Sequence, residues 1–151
     1  MKSFMSSLFV LVVMSFLLSG LSYAQETDDS GKLKGKAAFE TKCSTCHQTS
    51  RTLKKTKDKK GWEGTVKRMQ TNSFGKITDD EVKEIVYFLT AKSTFETKCS
   101  TCHQTSRALK KTKDKKGWED TVGRMQTKSF GKITDDEVKM VVDYLATERG
   151  N

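Results

Sequence analysis

The chain has 151 residues, with 28 Lys+Arg against 19 Asp+Glu and a formal net charge of +9. Its AVILMFWYC residues make up 34%, with ten Gly, four Cys and no Pro. Even with Gly added this lies below the roughly 45–50% of ordinary globular domains, and setting aside the apolar residues 1–24 widens the gap. A large all-protein core, a Pro-rich linker protein and a disulfide-dense scaffold are therefore excluded. Either the chain is unfolded, or something other than side chains fills its interior.

Lys2 gives a positive start, and Leu8 to Leu18 reads LFVLVVMSFLL. Ser22-Tyr23-Ala24 then places small residues at −3 and −1 of a cleavage site, so residues 1–24 read as a secretory signal peptide and the mature chain starts at Gln25. An uncleaved membrane anchor is the competing reading. Ser15, Ser19 and Gly20 interrupt its apolar run, which is shorter than the roughly 20 residues a spanning helix requires. No Cys follows the site, so a bacterial lipid anchor is not expected, and no later segment could span a membrane. The expectation is a periplasmic or otherwise exported protein.

Residues 25–36 form a polar leader, expected to be mobile. After it the sequence is one unit written twice. Phe39–Leu89 aligns without a gap to Phe95–Leu145 at an offset of 56, with 43 of 51 positions identical. The exchanges gather around two segments: Gly64/Asp120, Lys67/Gly123 and Asn72/Lys128 in one, and Glu84/Met140, Ile85/Val141, Tyr87/Asp143 and Phe88/Tyr144 in the other. The expected domains are residues 37–92 and 93–151. Only TAKST separates Leu89 from Phe95, without Gly or Pro, so the last helix of one unit can run almost directly into the first helix of the next.

Each unit reads as three short helices, which predicts an all-α protein. The first spans about Ala37–Cys43, with Phe39 and Cys43 on one face. The second spans about Trp62–Gln70, with Trp62, Val66 and Met69 at i, i+4 and i+7. The third opens at Thr78-Asp79-Asp80-Glu81, a capping box with acids at the positive helix end, and continues with the stripe Val82, Ile85, Val86, Leu89. Nothing alternates with period two. Three helices of this size do not make a stable core alone.

All four Cys lie in two copies of one pentapeptide, Cys43-Ser44-Thr45-Cys46-His47 and Cys99-Ser100-Thr101-Cys102-His103. Three other chemistries compete for such pairs. A disulfide framework does not explain a His after both pairs. A zinc site would set its C-x-x-C pairs about 12–20 residues apart, whereas 52 residues separate Cys46 from Cys99. A thioredoxin-type dithiol expects a βαβ setting.

With C-x-x-C-H the chain resembles the c-type cytochromes, small class I-like forms in tandem, each three-helix domain wrapped around one covalently bound haem. The resemblance implies two haem c groups, held by thioethers to Cys43 and Cys46 and to Cys99 and Cys102, with His47 and His103 as proximal iron ligands. Two thiols three positions apart in a helical turn reach the two vinyl groups of one porphyrin. Export agrees with this, since haem attachment in that family follows translocation. Two haems would also supply the missing apolar volume.

With both His taken as proximal ligands, bis-His ligation within the monomer is excluded. Met69 and Met125 occupy equivalent positions, 22 residues after His47 and His103, whereas Met140 aligns with Glu84. A Met in an apolar stripe is ordinarily a core residue. Small cytochromes c with a similar W-x-x-x-V-x-x-M element place that Met on the iron, which implies Met69 and Met125 as distal ligands and sets Trp62 and Trp118 among the cofactor-contacting residues. A five-coordinate iron and a Lys ligand from the basic loop are the alternatives. Arg51 and Arg107 are candidates for pairing with a haem propionate, against plain solvent exposure. Many of these cytochromes carry a Gly-Pro element after the haem His; here the chain continues Gln48-Thr49-Ser50-Arg51, so the acceptor orienting His47 is undefined.

Lys54, Lys55, Lys57, Lys59 and Lys60 recur as Lys110, Lys111, Lys113, Lys115 and Lys116. They read either as a solvated face or as a docking surface for an acidic redox partner. Nucleic-acid binding is not expected. The function expected is a dihaem electron carrier rather than an enzyme, with unequal potentials at the two haems. An electron-transfer subunit of a larger oxidoreductase shares that chemistry. A peroxidase or gas sensor with an open iron is the reading from another class.

Overall fold

The structure, a computed structural model, describes residues 33–151. Seven helices and no strand occur among them: α1 (Lys34–Cys43), α2 (Ser50–Leu53), α3 (Lys59–Asn72), α4 (Asp79–Cys99), α5 (Ser106–Leu109), α6 (Lys115–Lys128) and α7 (Asp135–Arg149). The protein is all-α, with two copies of one helical unit in tandem. The expected signal peptide and most of the expected leader lie outside the described residues.

The helices exceed the sequence-based spans. Helix α1 begins three residues before Ala37, because tertiary contacts hold its start: the buried Leu33 N–H donates to Thr147 Oγ1 at 2.9 Å, and Lys36 pairs with Glu148 at 3.0 Å. The end of the leader is thus pinned to the C-terminal helix rather than mobile. Helices α3 and α6 begin at Lys59 and Lys115, since Asp58 and Asp114 cap them by accepting the N–H of Gly61 and Gly117, each at 2.8 Å. The expected capping boxes are present at Thr78/Glu81 and Thr134/Glu137. The one-turn helices α2 and α5, just after the Cys motifs, were not among the expected elements.

Helix α4 organises the molecule. It runs unbroken for 21 residues, about 30 Å at the α-helical rise, and serves as the last helix of one repeat and the first of the next. The expected boundary between residues 92 and 93 falls inside it. Helices α1, α3 and α7 all pack on α4, and α6 packs on α7 as α3 does on α4. The α1–α4 crossing is close enough that a Cβ on Gly35 would collide with the backbone carbonyl of Glu84.

The repeats share one core rather than two. Phe39 meets Phe88 with ring centroids 5.8 Å apart, Phe88 meets Tyr144 at 6.2 Å, and Tyr144 meets Phe95 at 5.3 Å. This aromatic chain is palindromic in the repeat, since Phe95 is the equivalent of Phe39 and Tyr144 of Phe88. Beside it Tyr87 Oη donates to Asp143 Oδ2 at 2.8 Å. These two are also equivalent positions, so the contact lies where the units face each other. Asp143, buried, additionally pairs with Lys115 at 3.0 Å. Burial and the Asp143 carboxylate both push the Tyr87 hydroxyl well above the ordinary phenol range, leaving it a donor.

Candidate functional site

Cys43 is the last residue of α1, and the chain stays in helical conformation at Ser44. Thr45 Oγ1 donates to the Lys42 carbonyl at 2.8 Å, and Thr101 to that of Lys98 at 2.8 Å. Each pentapeptide is therefore a firm turn closing a helix. The lysine before each motif anchors it. Lys42 donates to the Lys76 carbonyl at 3.0 Å and pairs with Glu81 at 3.1 Å; Lys98 does the same with Lys132, at 3.0 Å, and Glu137, at 2.9 Å. The Cys turn is thus tied to the loop before the third helix of each repeat.

In the first repeat these elements enclose a cavity of about 560 Å³, within the roughly 300–1,000 Å³ of small-molecule and cofactor sites. Cys43, Cys46 and His47 contribute to its wall, together with Val66 and Met69 from α3 and Phe39, Ile85 and Leu89 from α1 and α4. Two thiols and an imidazole from one turn, a thioether from another helix and apolar walls between them are a donor set that suits a metalloporphyrin. No disulfide joins the four cysteines, and no three His, Cys, Asp or Glu side chains among the described residues converge as a bare metal site would require. Cys43 and Cys99 are half-buried while Cys46 and Cys102 are exposed. Burial and then the neighbouring cysteine raise the Cys43 thiol, and push Cys99 up to about 11.

Not every residue expected at the site reaches it. Trp62, fully buried, is missing from the cavity wall and packs in the helical core, its indole N–H donating to Ser93 Oγ at 2.9 Å. The Trp62, Val66, Met69 stripe divides because its first turn lies against α4 while its later turns face the cavity. Trp118 is buried in the same way, with no hydrogen-bond partner for its N–H among the described residues. The residue equivalent to Ser93 is Arg149, which has no hydroxyl to offer. Arg51 is exposed and off the wall, where its neighbour Thr52 stands instead; Arg107 is exposed too. His47 and His103 are exposed, and His103 Nδ1 lies 3.4 Å from the Gln104 carbonyl, a long contact. Met69 is half-buried, and Met125 is 37% exposed.

Part of the basic loop is structural. Lys57 and Lys113 lie over the Trp62 and Trp118 rings at 5.4 and 5.6 Å and donate to Thr65 and Thr121. Lys115 is committed to Asp143, and Lys116 pairs with Asp120 at 3.1 Å. Lys54, Lys55, Lys59, Lys60, Lys110 and Lys111 are exposed.

One cavity-wall residue was not foreseen. Phe74 is 94% exposed at φ +52°, and its equivalent Phe130 is 92% exposed at φ +53°. The Ser-Phe-Gly triplet reads as an ordinary turn, and its apolar residue was the available signal.

Fold and site together describe a tandem haem-binding protein of cytochrome-like construction. The family described as quinohemoprotein amine dehydrogenase A, alpha subunit, haem binding matches residues 33–95 and again residues 89–151, and the chain belongs to this family. The two matches overlap on residues 89–95, the part of α4 that both repeats use. No curated protein and no solved structure matches the chain significantly. No helix among the described residues is long and apolar enough to cross a membrane.

Proposed function

We propose that the protein is an exported dihaem c-type cytochrome that passes single electrons between redox proteins. Cys43 and Cys46 would bind one haem through thioethers, with His47 as proximal and Met69 as distal iron ligand. Cys99, Cys102, His103 and Met125 would do the same for the second. The observation that carries this reading is the single cavity wall formed by Cys43, Cys46, His47 and Met69. Bound there, haem supplies a one-electron ferric/ferrous couple, and His/Met ligation favours a raised potential. The chain's own part would be to hold His47 on the turn that closes α1 and Met69 on the packed helix α3, keep water from the apolar faces and hold the two sites in one core. The exposed lysines suit an acidic partner surface, where complementary fields speed encounter and weaken with salt.

The family match favours one variant of this reading, an electron-transfer subunit within a larger oxidoreductase. Co-purification with a partner at low salt and its loss at high salt would separate that from a free carrier.

The test is the mass and the optical spectrum of the mature protein, reduced, with and without carbon monoxide. Two covalently retained haems and an unchanged spectrum are expected. A spectral shift would mean an open iron and move the reading to a sensor or enzyme. Met69→Ala should open one haem to carbon monoxide and leave the other unchanged; two unchanged haems would refute the distal assignment.

A further inference from the structure

Phe74 and Phe130 stand where the polypeptide gives them no reason to be. A large apolar ring at 94% or 92% exposure gains nothing from burial. A non-glycine residue at φ +52° or +53° is also held in a disfavoured backbone region. The surrounding chain enforces that conformation. Before Phe74, Ser73 N–H donates to the Gln70 carbonyl at 3.0 Å; after it, Lys76 N–H donates to the Ser73 carbonyl at 3.3 Å and Lys42 Nζ to the Lys76 carbonyl at 3.0 Å. Gln70 Nε2 clamps the far side through the Ile77 carbonyl at 3.2 Å and Asp79 Oδ1 at 2.7 Å. The second repeat copies these contacts through Ser129, Lys132, Lys98 and Gln126. Strain retained by so many constraints marks a site where the residue acts, and Phe74 lines the cavity that holds Met69.

We propose that Phe74 and Phe130 close the mouths of the two haem pockets, each ring packing against the bound porphyrin and shielding the Met side of the iron from solvent. This rests on the haem reading above. The polypeptide supplies the strained turn, and the cofactor supplies the contact that the ring lacks. An apolar wall there excludes water from the distal ligand, one of the levers that sets a haem potential. A partner protein using the same rings as surface anchors is the rival interpretation.

Proton NMR of the reduced protein, with Phe74→Leu and Phe130→Leu used for assignment, reads the ring positions directly. Displacement of the Phe74 and Phe130 ring resonances by the porphyrin ring current is expected. In parallel, Phe74→Ala should lower the melting temperature of the haem-loaded protein and speed cyanide binding at one haem at least several-fold, with Phe74→Leu largely restoring both. Undisplaced ring resonances, or a cyanide-binding rate unchanged by Phe74→Ala, would overturn the proposal and favour the partner-anchor interpretation. Purified protein without covalent haem would instead refute the haem reading itself.

Discussion

Ser93→Ala is the sharpest test of how α4 joins the repeats. Ser93 sits in the joining segment, 4% exposed. Its Oγ accepts from Trp62 Nε1 at 2.9 Å and from the Lys57 N–H at 3.3 Å. Alanine removes both acceptors. The Lys57 amide lies on an exposed loop where water can replace Ser93, but Trp62, 1% exposed, has no such recourse. An orphaned buried donor costs about 1–3 kcal/mol, and the better helix propensity of alanine offsets about 0.5 kcal/mol. The net loss is about 0.5–2.5 kcal/mol, a fall of about 2–10 °C in melting temperature for a domain of this size. The second repeat is the internal contrast. Trp118 already lacks a partner, so Trp62→Phe should cost about 0.5–1.5 kcal/mol more than Trp118→Phe. Thermal unfolding of the haem-loaded protein by far-UV circular dichroism reads all three variants. Ser93→Ala melting at or above the parent temperature, with equal costs for the two Trp variants, would refute the reasoning.

Gly35→Ala would drive a methyl group into the Glu84 carbonyl, and helix displacement should cost about 1–3 kcal/mol; unchanged stability in urea would contradict the crossing. Tyr87→Phe leaves buried Asp143 with Lys115 alone and should destabilise by about 1.5–3 kcal/mol, the range for hydrogen bonds to charged groups, again by urea titration. Glu81 is held below the ordinary carboxylate range by the Thr78 N–H and by Lys42. In Glu137, partial burial opposes the shift, but the Thr134 N–H and Lys98 outweigh it. A lowered folded pKa means the unfolded chain takes up protons first. Stability should therefore be fully present above about pH 5 and fall as pH drops through the carboxylate range. Glu81→Gln combined with Glu137→Gln should flatten that fall, as melting temperature against pH will read.

The tandem repeat, the all-helical class, both capping boxes and the Cys turns were legible because each rests on local chemistry. Thr78 and Glu81 satisfy one another within four residues, and a five-residue join without Gly or Pro leaves a helix no reason to stop. What was not legible depends on contacts across the fold. Nothing in Leu33-Lys34-Gly35-Lys36 announces a helix start, since Thr147 and Glu148, more than a hundred residues away, hold it. Trp62 shares a stripe with Met69, and period alone does not reveal that its turn faces α4 rather than the cavity. Lys115 reads as one lysine in a solvated run until Asp143 is found beneath it. The left-handed conformation of Phe74 is equally silent in a triplet that also suits an ordinary turn.

The eight exchanges between the repeats gain meaning from where they fall. Thr52, Asn72 and Ile85 lie on the first cavity wall, and their counterparts are Ala108, Lys128 and Val141. The second repeat therefore does not copy that wall residue for residue, and Lys128 places a charge where the first repeat has Asn72. Tyr87/Asp143 and Phe88/Tyr144 lie where the units meet. Two identical units could not make the Tyr87–Asp143 bond, because two tyrosines lack the carboxylate and two aspartates would oppose like charges. Gly64 and Gly123 face open space, where a Cβ would meet nothing within 4 Å, so exchange there is free of packing constraint. Five of the eight exchanges thus fall on the first cavity wall or where the units meet, the places where a change in one repeat alters its cofactor site or its fit to its twin.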